Sequence, residues 1–329
     1  MKQQRILTDC WLNNKELDMQ NVEILLIDEK PKKRFCIKRL AGKGKPYGFI
    51  GPLSLLLFTF YVIPIFLSIY FSFTDYNIIK KPGFIGLSNY RDLLLDETFK
   101  ASIKNTFIFT LGVVPAQTIF SLFMASWLVS RGKSRLTEFV KGAMFIPVIS
   151  SMVLVSIVWR ILLNGEGSPL NMILNILNIT QPNWLGDSSI VLFVLMGITV
   201  WKNTGYFMIL YIAGLMEIPK NYTEAARVDG AGRWRVFYHI TLPLLKPTTI
   251  MVVFLGMVWS LQTFDLIYTL TGGGPGNASM TLVLHIYNNA FKNFNAGYAM
   301  TIANILLFFS AMAAIVQKSF LKKEKSEVY

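Results

Sequence analysis

Six stretches of this chain, at about residues 47–73, 104–130, 142–163, 189–215, 248–270 and 298–320, are each long and apolar enough to cross a membrane. A helix rises 1.5 Å per residue, so about 20 residues cover the roughly 30 Å of hydrocarbon. Inside that layer the backbone finds no water. Its N–H and C=O groups must be satisfied within the chain, which leaves helices or a closed barrel. Barrel strands alternate apolar and polar residues, and these stretches do not. The sequence therefore predicts an all-α, polytopic membrane protein with six transmembrane helices. Composition agrees: 53% of the 329 residues are hydrophobic and only 16% charged, against about 25% charged in soluble domains.

The formal net charge of +13 would suggest a nucleic-acid partner in a soluble chain. Mapped onto the segments between spans, it reads as topology instead. With the N-terminus in the cytoplasm, 24 of the 32 Lys and Arg residues fall on the inner side, as the positive-inside rule requires. Both termini are then cytoplasmic, and no nucleic acid is implied. The first outer loop nearly cancels its bases with Asp75, Asp92, Asp96 and Glu97.

Residues 1–46 form a polar cytoplasmic tail, 47–320 the six-helix transmembrane domain and 321–329 a short cytoplasmic end. The tail holds six acids and lacks the basic-then-apolar order of a signal peptide. Its Cys10 and Cys36 form no C-x-x-C pair, and His239 and His285 are far apart. No metal-ligand spacing and no catalytic motif is present. The run Thr271-Gly272-Gly273-Gly274-Pro275-Gly276 suits a sharp re-entry on the outer face. It is no phosphate loop, since no Gly-Lys-Ser/Thr follows. After it, Leu282 to Phe291 reads as a helix lying along the outer surface.

The segment between spans four and five, residues 217–243, is the most informative. Pro219 can open a short helix, Glu224, Ala225 and Ala226 favour it, and Gly230 and Gly232 break it. A second helix, Arg233 to about Ile240, follows until Pro243. Two short helices then meet at a bend on the cytoplasmic face. Ala225 and Ala226 leave room for another protein's backbone to approach, with Glu224 and Asp229 beside them.

Glu224-Ala225-Ala226, Gly230, Ile240 and Leu242-Pro243 resemble, at seven positions over 20 residues, the EAA loop of binding-protein-dependent ABC importer permeases. Pro219, Asp229-Gly230-Ala231, Phe264-Asp265 and the Thr271–Pro275 run are similar to the sugar-type branch, which includes the multiple-sugar, maltose and glycerol-3-phosphate permeases. The resemblance covers about residues 47–320 and implies the type I importer permease fold in a bacterial plasma membrane. It implies four kinds of partner: a second permease subunit, two copies of an ABC ATPase, an extracellular solute-binding protein and a carbohydrate cargo. ATP and Mg²⁺ would be used by the ATPase, with no cofactor bound by this chain. Glu224, Ala225, Ala226, Asp229 and Gly230 would carry the docking of that ATPase.

Polar groups within spans are costly and usually face protein or a water-filled path. Span four is interrupted midway by Trp201-Lys202-Asn203-Thr204-Gly205-Tyr206, a favoured kind of position for a transporter site. Span five offers Trp259, Gln262, Asp265 and Tyr268 at roughly i, i+3 spacing, about one helical face. Aromatic planes with amide and carboxylate groups suit a sugar; packing between helices is the alternative reading. Lys202 and Asp265 differ in depth by roughly 10 Å, so no bridge between them is expected. An ion-coupled secondary transporter would want more carboxylates within the spans than Asp265. A six-span membrane enzyme would want paired His, Asp or Cys at the membrane edge. A phosphate-bearing cargo such as glycerol-3-phosphate would want more path cations than Lys202.

Overall fold

The computed structural model describes residues 50–327, apart from 78, 80 and 166. The tail at 1–46, with Cys10 and Cys36, lies outside the described residues. The chain divides into a unit ending at Phe60 and a second unit, Tyr61–Tyr329. Of the first, only Ile50–Phe60 is described, as exposed turns of a helix. Everything below concerns the second.

Thirteen helices are named here in chain order. They are α1 (Ile50–Ser72), α2 (Ser88–Leu95), α3 (Glu97–Arg131), α4 (Arg135–Ile149), α5 (Met152–Leu163), α6 (Pro169–Ile176), α7 (Val191–Glu217), α8 (Lys220–Val228), α9 (Arg233–Leu244), α10 (Lys246–Leu261), α11 (Asp265–Leu270), α12 (Leu282–Tyr287) and α13 (Ala296–Glu327). An isolated bridge between Thr74 and Phe84 is the extended pairing recorded among the described residues. α1, α3, α7 and α13 are each long and apolar enough to span a membrane. The third expected span, 142–163, falls in a bent pair: α4 and α5 meet at 103°. A second bent pair, α9 and α10 at 66°, joins the second helix of the 217–243 loop to the first part of the fifth expected span, 248–270. Six spans result if each bent pair counts as one.

α3 is the pillar of the fold. Asp96 caps its start by accepting the Thr98 N–H at 2.7 Å, Glu97 suits the positive end of the helix dipole, and Gly132 at φ 66° ends it after Arg131. Its 35 residues run about 52 Å, longer than the hydrocarbon layer. Its buried face carries hydroxyls as well as hydrocarbon. Thr106, Thr110 and Thr118 return theirs to the carbonyls of Ser102, Thr106 and Val114 at 2.7–2.8 Å, so they can pack tightly without leaving a polar group stranded. α7 and α10 pack along α3, α4 packs on α7, and α5 on α11. α13 lies against Ile63–Ser72, α10 and α12.

Helix approach is closest where glycine removes the side chain. A Cβ on Gly205 would stand 2.0 Å from the Met144 carbonyl oxygen, so α4 and α7 touch backbone to backbone there.

Three expectations are corrected. The polar stretch at 201–206 does not break span four: α7 is continuous, and Thr204 returns its hydroxyl to the Val200 carbonyl at 2.6 Å. Span five does break, although no glycine or proline marks the place. α10 ends at Leu261, and the freed Thr263 carbonyl accepts a hydrogen bond from Thr281 Oγ1 at 3.4 Å. Trp259, Gln262, Asp265 and Tyr268 therefore do not line one helical face. The segment after the glycine turn is no surface helix either. Leu282, Leu284 and His285 of α12 are buried, and α12 packs on α13 and α3.

The glycine-rich turn does reverse the chain, with Gly272, Gly273 and Gly276 at φ 59°, 95° and 51°. Asn105 of α3 holds it by donating Nδ2–H to the carbonyls of Asn277 and Met280 at 2.8 and 3.0 Å.

Candidate functional site

The loop at 217–243 folds as two helices at a bend. Pro219, extended at φ −60° and ψ 130°, precedes α8. At the other end Gly230 takes φ 81°. Its N–H donates to the Arg227 carbonyl at 3.0 Å, and the next N–H, of Ala231, donates to Ala226 at 2.8 Å. This is the paired closure that a left-handed residue gives a helix end. Nothing stands within 4 Å of a Cβ added at Gly230, so the backbone angle, not crowding, calls for glycine there. Gly232 then leads into α9, which continues past Pro243 to Leu244 through a π-helical turn at Phe237–Thr241.

No residue of α8 is buried. Glu224, Ala225, Asp229 and Gly230 are exposed and Ala226 half-buried. Tyr222, Val228 and Trp234 are also open, Val228 at 88%. A nine-residue helix is marginal in water without tertiary burial. Its end residues hold its shape, and its small-side-chain face stays open to solvent.

The residues of the suspected path fall into two groups. In the first, the Tyr206 ring of α7 meets the Trp259 ring of α10 with centroids 5.0 Å apart. Asn203, one turn before Tyr206, donates Nδ2–H to Gln117 Oε1 of α3 at 3.2 Å. Trp201 packs edge-on against Trp159 at 5.7 Å, and Lys202 is half-buried. In the second group, Tyr268 stacks on Phe264 at 5.2 Å and meets Tyr287 at 5.2 Å. Lys292 Nζ stands 5.5 Å above the Tyr268 ring. Gln262, in the break after α10, and Asp265, the first residue of α11, lie exposed. Among the described residues no ion pair joins Lys202 to Asp265.

Gln117 went unnoticed in the sequence. It is wholly buried, and its Nε2 has no hydrogen-bond partner. A Cβ on Gly256 would come within 2.0 Å of that nitrogen, so a glycine in α10 makes room for it. A glutamine two residues after Pro115 in an apolar run was the available signal. Among the described residues no cluster of His, Cys, Asp and Glu could hold a metal ion.

Residues 117–325 match the family model described as binding-protein-dependent transport system inner membrane component. The chain is 32% identical to the probable ABC transporter permease protein YurN of Bacillus subtilis, over 86% of this chain and 97% of that one. It is 34% identical to the trehalose/maltose transport system permease protein MalF of Thermococcus litoralis, over 80% and 90%. It is 29% identical to the multiple sugar-binding transport system permease protein MsmF of Streptococcus mutans, over 87% and 98%. A chain from the crystal structure of a bacterial ABC transporter that imports the acidic polysaccharide alginate superposes with a TM-score of 0.72. That chain is 21% identical, with 88% of this chain and 99% of that one covered, so it bears on the fold, which is that of the type I importer permeases.

Proposed function

The chain belongs to the binding-protein-dependent transport system inner membrane components, the permeases of ABC importers, and on that premise we propose that it forms half of a membrane path for a carbohydrate and takes its driving force through the loop at 217–243. A second permease chain completes the path, two copies of an ABC ATPase dock from the cytoplasm, and an extracellular solute-binding protein delivers the cargo. ATP and Mg²⁺ act at the ATPase. This chain supplies no hydrolytic group and binds no cofactor.

One observation carries the coupling role. α8 is a helix with no buried residue of its own, closed by Pro219 and a left-handed Gly230 and offering Glu224 and Ala225 to solvent. Such a helix gains its tertiary contacts from another chain. The small side chains let that chain's backbone come close, and Glu224 meets a basic group there. Closure of the ATPase pair draws the two permease loops together, and the path turns from inward- to outward-facing. The force arises from different contacts in the two states, not from chemistry in this chain.

The carbohydrate cargo rests on two supports. Two similar permeases belong to a multiple sugar-binding and a trehalose/maltose transport system. Within the bundle, Tyr206 and Trp259 form an aromatic surface, with Asn203 on α7 one turn from Tyr206 and Gln262 in the break three residues after Trp259. Rings take the C–H face of a sugar and amides its hydroxyls.

The test is Gly230→Pro and Ala225→Glu in the assembled importer. Both variants should reach the membrane in normal amount, hydrolyse ATP and fail to couple hydrolysis to uptake. Wild-type uptake by both would remove the coupling assignment.

A further inference from the structure

Behind the coupling loop lies a cleft of about 940 Å³, walled by the ends of α3 and α7, by α8 and by α9. Arg131, Lys220, Arg227 and Arg233 line it, and no acidic residue does. Among the described residues none of the four takes part in an ion pair. All four are exposed, so water screens much of their mutual repulsion, and an anion held among them would remove the rest. Arg131 and Arg227 sit in last turns of helices, where a cation suits the helix dipole. Lys220 opens α8, the end at which that dipole opposes a positive charge. Helix stability therefore does not account for the whole set.

The remaining wall is largely hydrocarbon, with Val129, Leu215, Met216, Ile218 and Val236 among its residues. One polar group in it is stranded: the Ser126 hydroxyl is buried without a hydrogen-bond partner. Three aromatic residues lie next in sequence or one turn from residues of the cleft wall, without lining the cleft themselves. Trp127 lies under Arg131 at 5.5 Å, and Trp234 and Tyr238 of α9 are exposed at 72% and 57%. Exposed tryptophan and tyrosine gather at the headgroup level of a bilayer.

A cationic mouth over an apolar wall at headgroup depth fits an anionic amphiphile. We propose that this cleft binds one anionic phospholipid of the cytoplasmic leaflet. Its phosphate meets the guanidinium groups of Arg131 and Arg233, which can bond phosphate oxygens in pairs, and its acyl chain lies along the α3 and α7 wall. The proposal rests on the reading that places the 217–243 loop in the cytoplasm.

The cleft and the ATPase-docking residues lie mostly on different sides of α8. Lys220, Thr223 and Arg227 recur at i, i+3 and i+7, one side of α8. Ala225 and Asp229 fall on the other side and do not line the cleft, while Glu224, four residues after Lys220, stands at the boundary between the two sides without lining it. A bound lipid would brace α8 from behind, against the spans, while its opposite side meets the ATPase.

The test uses the full chain in phosphatidylcholine nanodiscs doped with phosphatidylglycerol, with native mass spectrometry reading retained lipid. Wild-type protein should keep one phosphatidylglycerol in preference to phosphatidylcholine. Arg131→Gln with Arg233→Gln should weaken that binding about 30-fold, from two charges at the membrane surface. Should the double variant misfold, Lys220→Gln alone should still weaken it severalfold. Equal retention of the two lipids by the wild type, or unchanged retention by the variants, overturns the proposal. So does displacement of the lipid by millimolar inorganic phosphate, which would make the site one for a free anion. The orientation is checked apart from the lipid, with Tyr222→Cys in a Cys10→Ser, Cys36→Ser background. Labelling by a membrane-impermeant maleimide in intact cells would overturn the cytoplasmic placement while leaving lipid retention measurable.

Discussion

Asp96, at the start of α3, accepts a hydrogen bond at 3.1 Å from Nε2–H of His285, 189 residues further along the chain. The same carboxylate oxygen takes the Tyr298 hydroxyl at 2.8 Å. The carboxylate fixes the imidazole tautomer, since it can only accept, and His285 Nδ1 is left to accept from Asn289 Nδ2 at 3.3 Å. One buried cluster thus joins α3, α12 and α13.

This cluster should make the fold acid-sensitive. Burial holds the His285 pKa below its ordinary value, against the pull of Asp96. Burial works to raise Asp96, but hydrogen bonds from Tyr298 and the Thr98 N–H, with His285 nearby, bring it below the usual carboxylate range. In both cases the unfolded chain takes up its proton at higher pH than the folded one. Stability is then full above the ordinary histidine value near 6.5 and falls as pH drops below it, first through His285 and near pH 4 through Asp96. Thermal unfolding of the purified chain between pH 7.5 and about 5 reads this. His285→Gln should lower stability at neutral pH by about 1–3 kcal/mol and flatten the decline. An equally steep decline in His285→Gln would place the sensitivity elsewhere.

Gly205 should tolerate no side chain. Alanine there meets the Met144 carbonyl oxygen at 2.0 Å and Val148 Cγ2 at 2.8 Å, and separating α4 from α7 should cost about 1–3 kcal/mol. Gly197, on the same helix, has nothing within 4 Å of an added Cβ. Gly197→Ala should be neutral or stabilising by up to about 1 kcal/mol. Melting of the two variants side by side decides it, and equal behaviour would remove the close approach of α4 and α7.

The path residues should separate binding from folding. Asn203→Ala and Gln262→Ala should each raise the transport KM about tenfold, the loss of roughly 1.4 kcal/mol of binding, with membrane content unchanged. Trp259→Ala should raise it further, because an aromatic plane is lost. A change confined to the amount of protein would make these residues packing elements instead.

Much of this architecture is legible in the sequence because lipid imposes a simple rule. Segments that must bond their own backbone are helices, and apolar runs of sufficient length mark them. The turn residues of the 217–243 loop are equally legible, since Pro219 and Gly230 act through backbone angles that depend on little else. What hydropathy misses is direction. It counts apolar residues and cannot see a bend, so 142–163 and 248–270 read as straight spans. The break after Leu261 depends on Thr281, twenty residues later, satisfying a freed carbonyl. Gln117 was hidden for the same kind of reason. Its role depends on Asn203 and on the missing side chain of Gly256, on two other helices.

The sharp corner between α4 and α5 bears on what holds the third span in place. Their 15 and 12 residues reach only about 22 and 18 Å, each short of the roughly 30 Å of the hydrocarbon layer. In the folded chain neither helix reaches across the layer by itself. α4 finds its place against α7 and α5 against α11, and both of those are synthesised later. The third span is therefore held by helices that come after it in the chain, so its two halves share their support with spans four and five.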